Sequence, residues 1–353
     1  MKSLHKVSLA LICSGVLFAP LSEAGGASDA RTTSSPFATS NLPEHGLAVL
    51  TYNVHGMPWP FATDRADAFA QIEDRLIQMR STGTQPHIMV LQEAFTERAQ
   101  EIGANSGYRF VVSGPSRDQL GGNPGSTSES KFAAATSFIK GETIGKWLGS
   151  GLQILSDYPI LTVRRAAFPS FACAGYDCLA NKGALLVTVR VPELAEPVTI
   201  VTTHMNSKRS SGVSESRSSV AYQMQAVALE RFVEANHNLA TPIIFAGDFN
   251  ASNLNRRQIL ATRTVVPLSA RSGALIRNAI SEVAAKVRTW PSGLKAETAT
   301  IAKRGRDWQF FASGTRGTLI PQSISVPFGR EKDGTMLSDH MGLTITYKFA
   351  PTG

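Results

Sequence analysis

The sequence predicts a single layered α/β domain in which helices cover β-sheets. Short runs of apolar and β-branched residues, typical of buried strands, recur along the chain, and segments with helical spacing separate several of them. The chain has 353 residues, of which 42% are apolar and 18% are charged, so it can form a large core. No internal repeat and no change of composition divides it. One domain with strands and intervening helices is therefore the simplest prediction.

The N-terminal segment is expected to lie outside this domain. A basic start, MKSLHK, precedes the apolar run VSLALICSGVLFAPL and the small-residue sequence SEA, which is typical of a signal peptide cut after Ala24. A membrane anchor is the alternative, but the run is short for a span of about 20 residues. The sequence therefore predicts a signal peptide over 1–24, a flexible Pro/Ser-rich lead-in over 25–44, and a secreted or periplasmic domain over 45–353.

The predicted strands follow one another with turn residues at their ends. They are LAVLTYNV, HIMVLQEAF, GYRFVV, GLQILS, GALLVTVRV, VTIVTTHM, PIIFAGDF and GLTITYKF. Helices are predicted over 64–79, 96–104 and 220–236. The apolar face of the last helix is expected to contain Val220, Met224, Val227 and Phe232. Residues 114–131, rich in Gly, Ser, Asn and Pro, are expected to form a long exposed loop, and 252–302 contains helix-like pieces.

Charge and cysteine content restrict the partners and the compartment. The formal net charge of +8 favours attraction to polyanions such as nucleic acid, anionic lipid or phosphorylated ligands, although an ordinary solvated basic surface explains it equally well. Once Cys13 is removed with the signal peptide, Cys173 and Cys178 remain, in CAGYDC. An even pair in an exported protein suggests a small disulfide loop. A zinc site is disfavoured because no second Cys/His pair lies at ligand spacing.

Polar side chains cluster at the ends of several predicted strands. They are Asn53 and His55 in TYNVHG, Glu93 in VLQEAF, His204 and Asn206 in VTTHMNS, Asp248 and Asn250 in AGDFNAS, and Asp339 and His340 in MLSDHMG. Any one of them could be a cap or turn residue. Together they indicate a site, because burying so many unpaired polar groups would be costly. The oxygen-rich set suits Mg²⁺ or Mn²⁺, and the histidines suit proton transfer or phosphate stabilisation.

The Gly-Asp-Phe-Asn run after PIIFA carries part of this set. Gly247 is expected to free the backbone where the strand ends. Asp248 and Asn250 stand two residues apart, and on an extended chain such residues point in the same direction. The pair is therefore expected to face one common site.

Five motifs taken in order, TYNVHG, LQEAF, TTHMNS, GDFNAS and SDHMG, resemble the endonuclease/exonuclease/phosphatase superfamily over residues 47–349. The resemblance implies an α/β four-layer sandwich, with two packed mixed β-sheets flanked by helices, that cleaves phosphate esters with a divalent ion. It also implies that Glu93 is the main metal carboxylate, with Asn53 and Asp339 near the same ion. Asp248 would orient or deprotonate the attacking water, and Asn250 would hold a phosphate oxygen or the nucleophile.

The resemblance assigns the histidines as well. His340 would contact the scissile phosphate, and Asp307 in GRDWQFF would hydrogen-bond to it. This second match is looser, because the family usually has Tyr where Trp308 stands. His204 is similar to the second active-site histidine of the nuclease and sphingomyelinase branches, and Asn206 nearby is expected to contact substrate.

Two local stretches favour the neutral, secreted bacterial sphingomyelinases. YNVHGMPWP and CLANKGALLVTV are similar to segments of that branch, and Lys182 in the second is expected to bind a phosphate oxygen, with a solvated turn lysine as the alternative. That branch often carries a membrane-binding aromatic hairpin before Ser-Asp-His, whereas residues 317–337 contain only Phe328 as an aromatic. Any peripheral membrane contact is therefore expected elsewhere, with 57–61 as a candidate.

The predicted substrate is a sphingomyelin-type phospholipid, cleaved to ceramide and phosphocholine. An exported nuclease is the main alternative, because the basic stretches 207–209, 255–257 and 303–306 could hold a phosphate backbone or could be ordinary solvated loops. A phosphoinositide phosphatase is a further alternative. An inactive binding module is disfavoured because every expected site position is filled. No protein partner is implied, and a monomer is expected.

Overall fold

The computed structural model describes residues 46–351, except 59–61, 64, 193, 195, 239 and 316. The predicted signal peptide and lead-in therefore lie outside the described residues. The described chain forms two six-stranded mixed sheets with helices on their outer faces. This arrangement confirms the predicted α/β fold of two packed mixed sheets flanked by helices.

The first sheet places its only parallel pair near the middle of the described strands. Its spatial order is β11 (Gly317–Phe328), β12 (Gly342–Pro351), β1 (Gly46–Asn53), β2 (Ile88–Gln92), β4 (Gln153–Ser156) and β3 (Phe110–Ser113). β1 and β2 run parallel, and the other neighbours run antiparallel. The carboxyl ends of β1 and β2 consequently lie at the same edge of the sheet.

The second sheet repeats this plan. Its spatial order is β5 (Ile160–Ala167), β6 (Gly183–Val189), β7 (Val198–Thr203), β8 (Ile243–Asp248), β10 (Asp307–Ala312) and β9 (Arg277–Asn278). β7 and β8 run parallel, and the remaining pairs are antiparallel. Each sheet therefore brings two strand exits to one edge, which is where the sequence places its polar side chains.

The helices complete the layers. The α-helices of the described chain are α1 (Arg65–Ser81), α2 (Glu97–Gln100), α3 (Ile102–Asn105), α4 (Thr127–Ala134), α5 (Glu215–Asn236), α6 (Leu254–Leu260), α7 (Val266–Ser272), α8 (Ala279–Ala284) and α9 (Leu294–Arg304). A 3₁₀ turn covers Gly175–Leu179, and a π-helical turn covers Ala261–Val265. None of the helices described is long and apolar enough to cross a membrane.

Alternate residues of β1 contribute to two different hydrophobic cores. Leu47 and Val49 point into the core between the two sheets, whereas Leu50 and Tyr52 point to the other face. On that face they pack with buried side chains of α1, such as Ile72. Because successive strand residues alternate between faces, both faces of this central strand are buried and its sequence is apolar almost throughout.

Two local predictions were wrong. Residues 114–131 include the start of α4, where Ser126 accepts a hydrogen bond from the Glu129 amide and Glu129 accepts one from the Gly125 amide, a capping arrangement within the polar sequence. The apolar face expected for α5 was also wrong, because Val220 is 41% exposed. The helix instead buries Ala221, Tyr222, Gln225, Ala226, Leu229 and Val233.

Candidate active site

The candidate site lies where the carboxyl ends of the two parallel strand pairs meet. β1 and β2 present Asn53 and Glu93, and β7 and β8 present His204 and Asp248. Asn53 Nδ2 donates to Glu93 Oε1 at 2.9 Å and to Asp248 Oδ2 at 3.2 Å. One buried carboxamide therefore connects the acidic groups of the two sheets.

Three strand exits at this site have unusual backbone geometry. His55, Glu93 and Asn250 have φ angles of 51°, 57° and 49°, in the left-handed region that residues other than glycine rarely adopt. Gly56 permits the first of these turns, because a Cβ there would lie 2.4 Å from the Glu93 carbonyl oxygen. Clustering of such conformations at one place is typical of functional sites, where side-chain position outweighs backbone cost.

Gly247 has a different role from the one predicted. Its φ is not positive, so it does not serve to free the backbone. A Cβ at this position would lie 2.6 Å from the carbonyl oxygen of Thr203 on the neighbouring strand, so glycine permits close approach of β8 to β7. Asn250, with its left-handed φ, leaves the extended conformation, yet both Asp248 and Asn250 line the same cavity.

Two carboxylates face each other across one histidine. His55 Nδ1 lies 3.6 Å from Glu93 Oε2 and 3.4 Å from Asp339 Oδ1. The hydrogen bond with Glu93 raises the pKa of His55. Burial by itself raises the pKa of Glu93, but the same hydrogen bond and the charge of His204 outweigh burial, so the pKa of Glu93 is lowered. Oxygen atoms of Glu93 and Asp339, with Asn53 beside them, form a donor set that fits a hard divalent cation.

The side chains of Asp307 and His340 are hydrogen-bonded to each other. His340 Nδ1 lies 2.8 Å and 3.0 Å from the two carboxylate oxygens of Asp307, and both side chains are buried. Burial raises the pKa of the Asp307 carboxyl. Burial by itself lowers the pKa of His340, but the charge and hydrogen bond of Asp307 outweigh burial and raise this pKa to about 10. His340 is therefore an imidazolium at neutral pH.

Asp248, Asp307 and His340 also lie close enough together to be considered as metal ligands, with one candidate atom of each within 4.8 Å of the others. The Asp307–His340 hydrogen bond occupies Nδ1 of the ring and both Asp307 oxygens, so we assign this group to proton positioning. A divalent cation would be better held by Glu93 and Asp339, whose side chains both line the cavity.

Asp248 is the centre of the cluster. Its Oδ1 accepts a hydrogen bond of 2.9 Å from the Asn250 amide, and its Oδ2 lies 3.6 Å from His204 Nε2 and 3.8 Å from His340 Nε2. Burial opposes ionisation, but the charges of His340 and then His204 lower the pKa of Asp248. The side chain is thus an ionised carboxylate within reach of both histidines.

Lys182 extends the cluster on the side of His204. Its Nζ lies 3.2 Å from His204 Nε2, 2.5 Å from Asp177 Oδ1 and 3.1 Å from the Met205 carbonyl oxygen. Lys182 is buried and lines the cavity, so it is not a solvated turn lysine. Burial, followed by the charge of Lys182, lowers the pKa of His204, whereas the charges of Asp248 and Glu93 oppose this change.

Asn206 is held below the cavity. Its Oδ1 accepts a hydrogen bond from the Ala174 amide at 2.9 Å, and its Nδ2 donates to the Ser207 carbonyl at 2.8 Å. It is fully buried and is absent from the lining of the described cavity. Its carboxamide fixes the loop next to the predicted disulfide, which is present between Cys173 and Cys178.

These groups form the floor of a cavity of about 500 Å³. The polar lining includes His55, Glu93, Asp177, Lys182, His204, Asp248, Asn250, Arg306, Asp339 and His340. The apolar lining includes Met57, Pro58, Phe95, Trp147, Leu148, Tyr176, Leu179 and Ala180. A charged floor below an apolar wall suits a substrate with a phosphate at one end and an apolar group at the other.

The sequence profile of the Endonuclease/Exonuclease/phosphatase family matches residues 50–321, most of the described chain. The chain belongs to this family. Members of the endonuclease/exonuclease/phosphatase family are hydrolases that act on phosphate esters and depend on divalent metal ions. No curated protein sequence matches the chain significantly.

Solved structures share the fold of this family member. Beta toxin from Staphylococcus aureus matches at 16% identity with a TM-score of 0.55, covering 85% of this chain and 99% of the toxin. Sphingomyelinase C from Streptomyces griseocarneus matches at 20% identity with a TM-score of 0.51, covering 85% and 99%. TDP2 from D. rerio, in complex with a single-strand DNA product, matches at 14% identity with a TM-score of 0.51, covering 86% and 99%. A beta toxin variant with bound magnesium ions matches with a TM-score of 0.54, at 15% identity and with coverage of 85% and 98%.

Three cavity residues of this family member with acidic or basic side chains were not predicted as site residues from sequence. His55 was noted at a strand end without a role, Arg306 was noted only as part of a basic stretch, and Asp177 was not considered. Proximity to Asp307 in the sequence could have indicated Arg306. The position of Asp177 depends on the disulfide loop that carries it, so no pattern in the sequence indicated it.

Arg306 completes the positive side of the cavity. Its Nη1 lies 3.2 Å from His340 Nε2 and 3.7 Å from Asp339 Oδ2. Because His340 is an imidazolium, two cationic donors stand side by side and repel each other unless an anion lies between them. A phosphoryl oxygen is such an anion, so we expect Arg306 to bind the substrate phosphate.

Replacement of Arg306 by Gln is expected to lower kcat/KM for a soluble phosphodiester by about ten- to a hundredfold, because a hydrogen bond to a charged group contributes about 1.5–3 kcal/mol. Steady-state kinetics with bis(p-nitrophenyl) phosphate measures this effect. Arg263→Gln is the control, since Arg263 is exposed and outside the cavity lining. Equal kcat/KM for both variants would exclude the phosphate contact.

Proposed function

We propose that this family member is a secreted, divalent-metal-dependent phosphodiesterase that hydrolyses a sphingomyelin-type phospholipid to ceramide and phosphocholine. The observation that carries the proposal is the cavity itself, in which carboxylates, histidines and cationic side chains lie below an apolar wall. The predicted signal peptide and the disulfide between Cys173 and Cys178 support export.

Glu93 and Asp339 would hold the metal ion, with Asn53 near them. The oxygen-only donor set favours Mg²⁺ or Mn²⁺, and the beta toxin variant with the same fold contains magnesium ions. When bound, the cation supplies Lewis-acid stabilisation of the charge that develops on the phosphate. His55, which lies between the two carboxylates, would lose its proton or move as the cation enters.

The protein groups would bind and orient the phosphate before the reaction. Lys182 and Arg306 are cationic and lie on opposite sides of Asp248, next to His204 and His340 respectively. Each can donate to a non-bridging phosphate oxygen, while Asn250 faces the cavity beside Asp248. This arrangement would place phosphorus near the one ionised carboxylate that can accept a proton from water.

Hydrolysis would then proceed by attack of water on phosphorus. Asp248 takes a proton from the attacking water, the bond from phosphorus to the ceramide oxygen breaks, and the imidazolium of His340 gives its proton to that oxygen. The proton can afterwards return from Asp248 to His340, because Asp248 Oδ2 and His340 Nε2 are 3.8 Å apart. Asp307 keeps the ring in the donating orientation throughout.

The lining of the cavity supports lipid over nucleic acid. Its wall carries the aliphatic side chains of Met57 and Leu179 beside the aromatic rings of Phe95 and Trp147, whereas a groove for single-stranded nucleic acid typically combines cationic side chains for the backbone with aromatic rings for the bases. The sphingomyelinase C with the same fold acts as a precedent for a lipid substrate.

The basic stretches offer less to a nucleic acid than the sequence suggests. Arg256 is fully buried and donates to the carbonyls of Asn206 and Asn250. Arg257 donates to the Ala251 carbonyl, and its guanidinium lies over the Trp308 ring. Arg256 therefore holds the fold together and is not a solvated loop cation, whereas Arg257 makes these contacts and remains exposed.

The test is cleavage of two substrates by purified mature protein. We expect release of phosphocholine from sphingomyelin vesicles in Mg²⁺ or Mn²⁺, and a loss of at least about a hundredfold with chelator, since the cation contributes several kcal/mol. Plasmid DNA and a phosphoinositide serve as comparison substrates. Activity that survives the chelator would overturn the metal requirement. Nicking of DNA without release of phosphocholine would instead establish a nuclease.

A further inference from the structure

We propose that the surface beside the cavity mouth docks on a phospholipid bilayer, an inference that rests on the proposed lipid substrate. Its apolar side chains are Phe138, Ile139, Ile144, Trp147 and Tyr176, which we call the apolar rim. Phe138 and Ile139 are 72% and 83% exposed, and Trp147 is 58% exposed. Adjacent large apolar side chains with this exposure mark a surface used for binding.

The apolar rim belongs to an ordered turn. Glu142 Oε1 accepts hydrogen bonds from the Gly175 amide at 2.8 Å and from Arg217 Nε at 2.6 Å, and its Oε2 accepts one from the Ser137 amide at 2.6 Å. The Glu142 side chain is only 1% exposed. A buried carboxylate with three donors thus fixes the turn while Phe138 and Ile139 stay in solvent, so their exposure is part of a defined conformation.

The apolar rim continues into the cavity wall. The amides of Trp147 and Leu148 donate to the Leu179 carbonyl at 2.7 Å and 3.1 Å. Trp147, Tyr176 and Leu179 all line the cavity. Trp147 and Tyr176 also belong to the apolar rim. A lipid whose phosphate lies on the charged floor would therefore leave the cavity along an apolar surface that ends at the proposed bilayer contact.

The charge of this segment fits a membrane surface. Residues 131–148 contain Lys131 and Lys140, while Lys146 turns its Nζ inward to Cys173 Sγ, and their one acidic side chain, Glu142, is buried. Lys140 Nζ lies 5.6 Å from the centre of the Tyr176 ring, so a cation and an aromatic ring lie together at the rim. Apolar tips flanked by lysines and without an exposed carboxylate are typical of segments that enter the headgroup region of phospholipid.

Two other elements do not provide this surface. Phe328, the aromatic residue of 317–337, is 1% exposed and stacks on Tyr52 at 4.8 Å in the core. Met57 and Pro58 line the cavity and are only partly exposed, and the rest of 57–61 lies outside the described residues. The observations therefore place bilayer contact at the apolar rim.

The experiment compares the Phe138→Ser/Ile139→Ser double variant with wild type and with Leu275→Ser. Leu275 is also an apolar loop residue, 69% exposed, and it does not line the cavity. Binding to sphingomyelin/phosphatidylcholine vesicles, measured by co-sedimentation with chelator present, is expected to weaken at least about tenfold only in the double variant. Cleavage of vesicle lipid should fall in parallel, while cleavage of bis(p-nitrophenyl) phosphate stays unchanged, because neither residue lines the cavity.

The outcomes separate this inference from the proposed function. Equal vesicle binding by the double variant and wild type overturns the docking surface even if sphingomyelin is cleaved. Wild type that cleaves the soluble diester but does not bind vesicles also overturns it. A concentration-dependent dimer that the double variant loses, with vesicle binding unaffected, would reassign the apolar rim to contact between two copies of this chain. Failure of wild type to release phosphocholine contradicts the proposed function instead.

Discussion

The Asp248→Asn variant is expected to lose about two to four orders of magnitude in kcat, the usual contribution of a general base. Asn has the same shape and can still accept the hydrogen bond from the Asn250 amide through its one carboxamide oxygen, but its Nδ2 then faces Asn53 Nδ2 and that second bond is lost. This loss of about 1–3 kcal/mol should leave the fold in place. What Asn cannot do is accept a proton from water. Steady-state kinetics on bis(p-nitrophenyl) phosphate at saturating Mg²⁺ measures the loss.

Two further measurements define what this variant tests. The Mg²⁺ concentration that gives half-maximal activity should be unchanged, because Glu93 and Asp339 are the proposed ligands. Asp333→Asn is the matched control, since Asp333 is an exposed loop residue. A kcat within about threefold of wild type would contradict the role of Asp248. A large shift in Mg²⁺ requirement would instead make Asp248 a ligand.

The Asp307→Asn variant is expected to move the alkaline limit of activity to lower pH. In wild type, Asp307 raises the pKa of His340 to about 10, so the donating imidazolium persists through neutral and mildly alkaline pH. Without that negative charge, the pKa of His340 is expected to fall, because burial lowers it and only the charges of Asp248 and Asp339 still raise it. Once the pKa of His340 lies below the assay pH, each further pH unit is expected to lower the activity about tenfold, because the protonated fraction falls in that proportion.

The pH profile of kcat/KM distinguishes this effect from general damage. Activity of Asp307→Asn should recover towards wild type as pH decreases to about 6, because His340 regains its proton. Titration of labelled histidine side chains by NMR should show the same change of pKa. A uniform loss at every pH, with an unchanged profile, would show that Asp307 matters only for packing.

Much of the fold could be predicted because strand sequence depends on local burial. β1, β2 and β6 to β8 are buried on both faces, and their apolar runs reveal them without further context. β5 was not predicted, because it is an edge strand in which Arg164 and Arg165, on opposite faces, are both exposed and interrupt the apolar pattern. The apolar face of α5 was wrong because polar Gln225 is buried, with hydrogen bonds to the Asn206 amide and the Ala172 carbonyl.

Most residues of the candidate site could be predicted from the sequence, but the contacts between them could not. Strand ends indicated Glu93, Asp248 and His340, because polar residues there interrupt apolar runs. Sequence could not show that His55 would lie between two carboxylates, since this depends on a left-handed φ at His55 itself, which residues other than glycine rarely adopt. The apolar rim was equally hidden, because exposed Phe138 and Ile139 have the composition of a core segment.

The bond from Asn53 to both Glu93 and Asp248 has a consequence for how the protein tolerates change. Glu93 follows a strand of one sheet and Asp248 ends a strand of the other. The distance between these two carboxylates therefore depends on how the two sheets pack against each other. Mutations deep in the interface, such as at Val49 or Ile244, would impair turnover while most of the chain stays folded. A small shift of one sheet relative to the other should therefore lower kcat before it changes the circular dichroism spectrum.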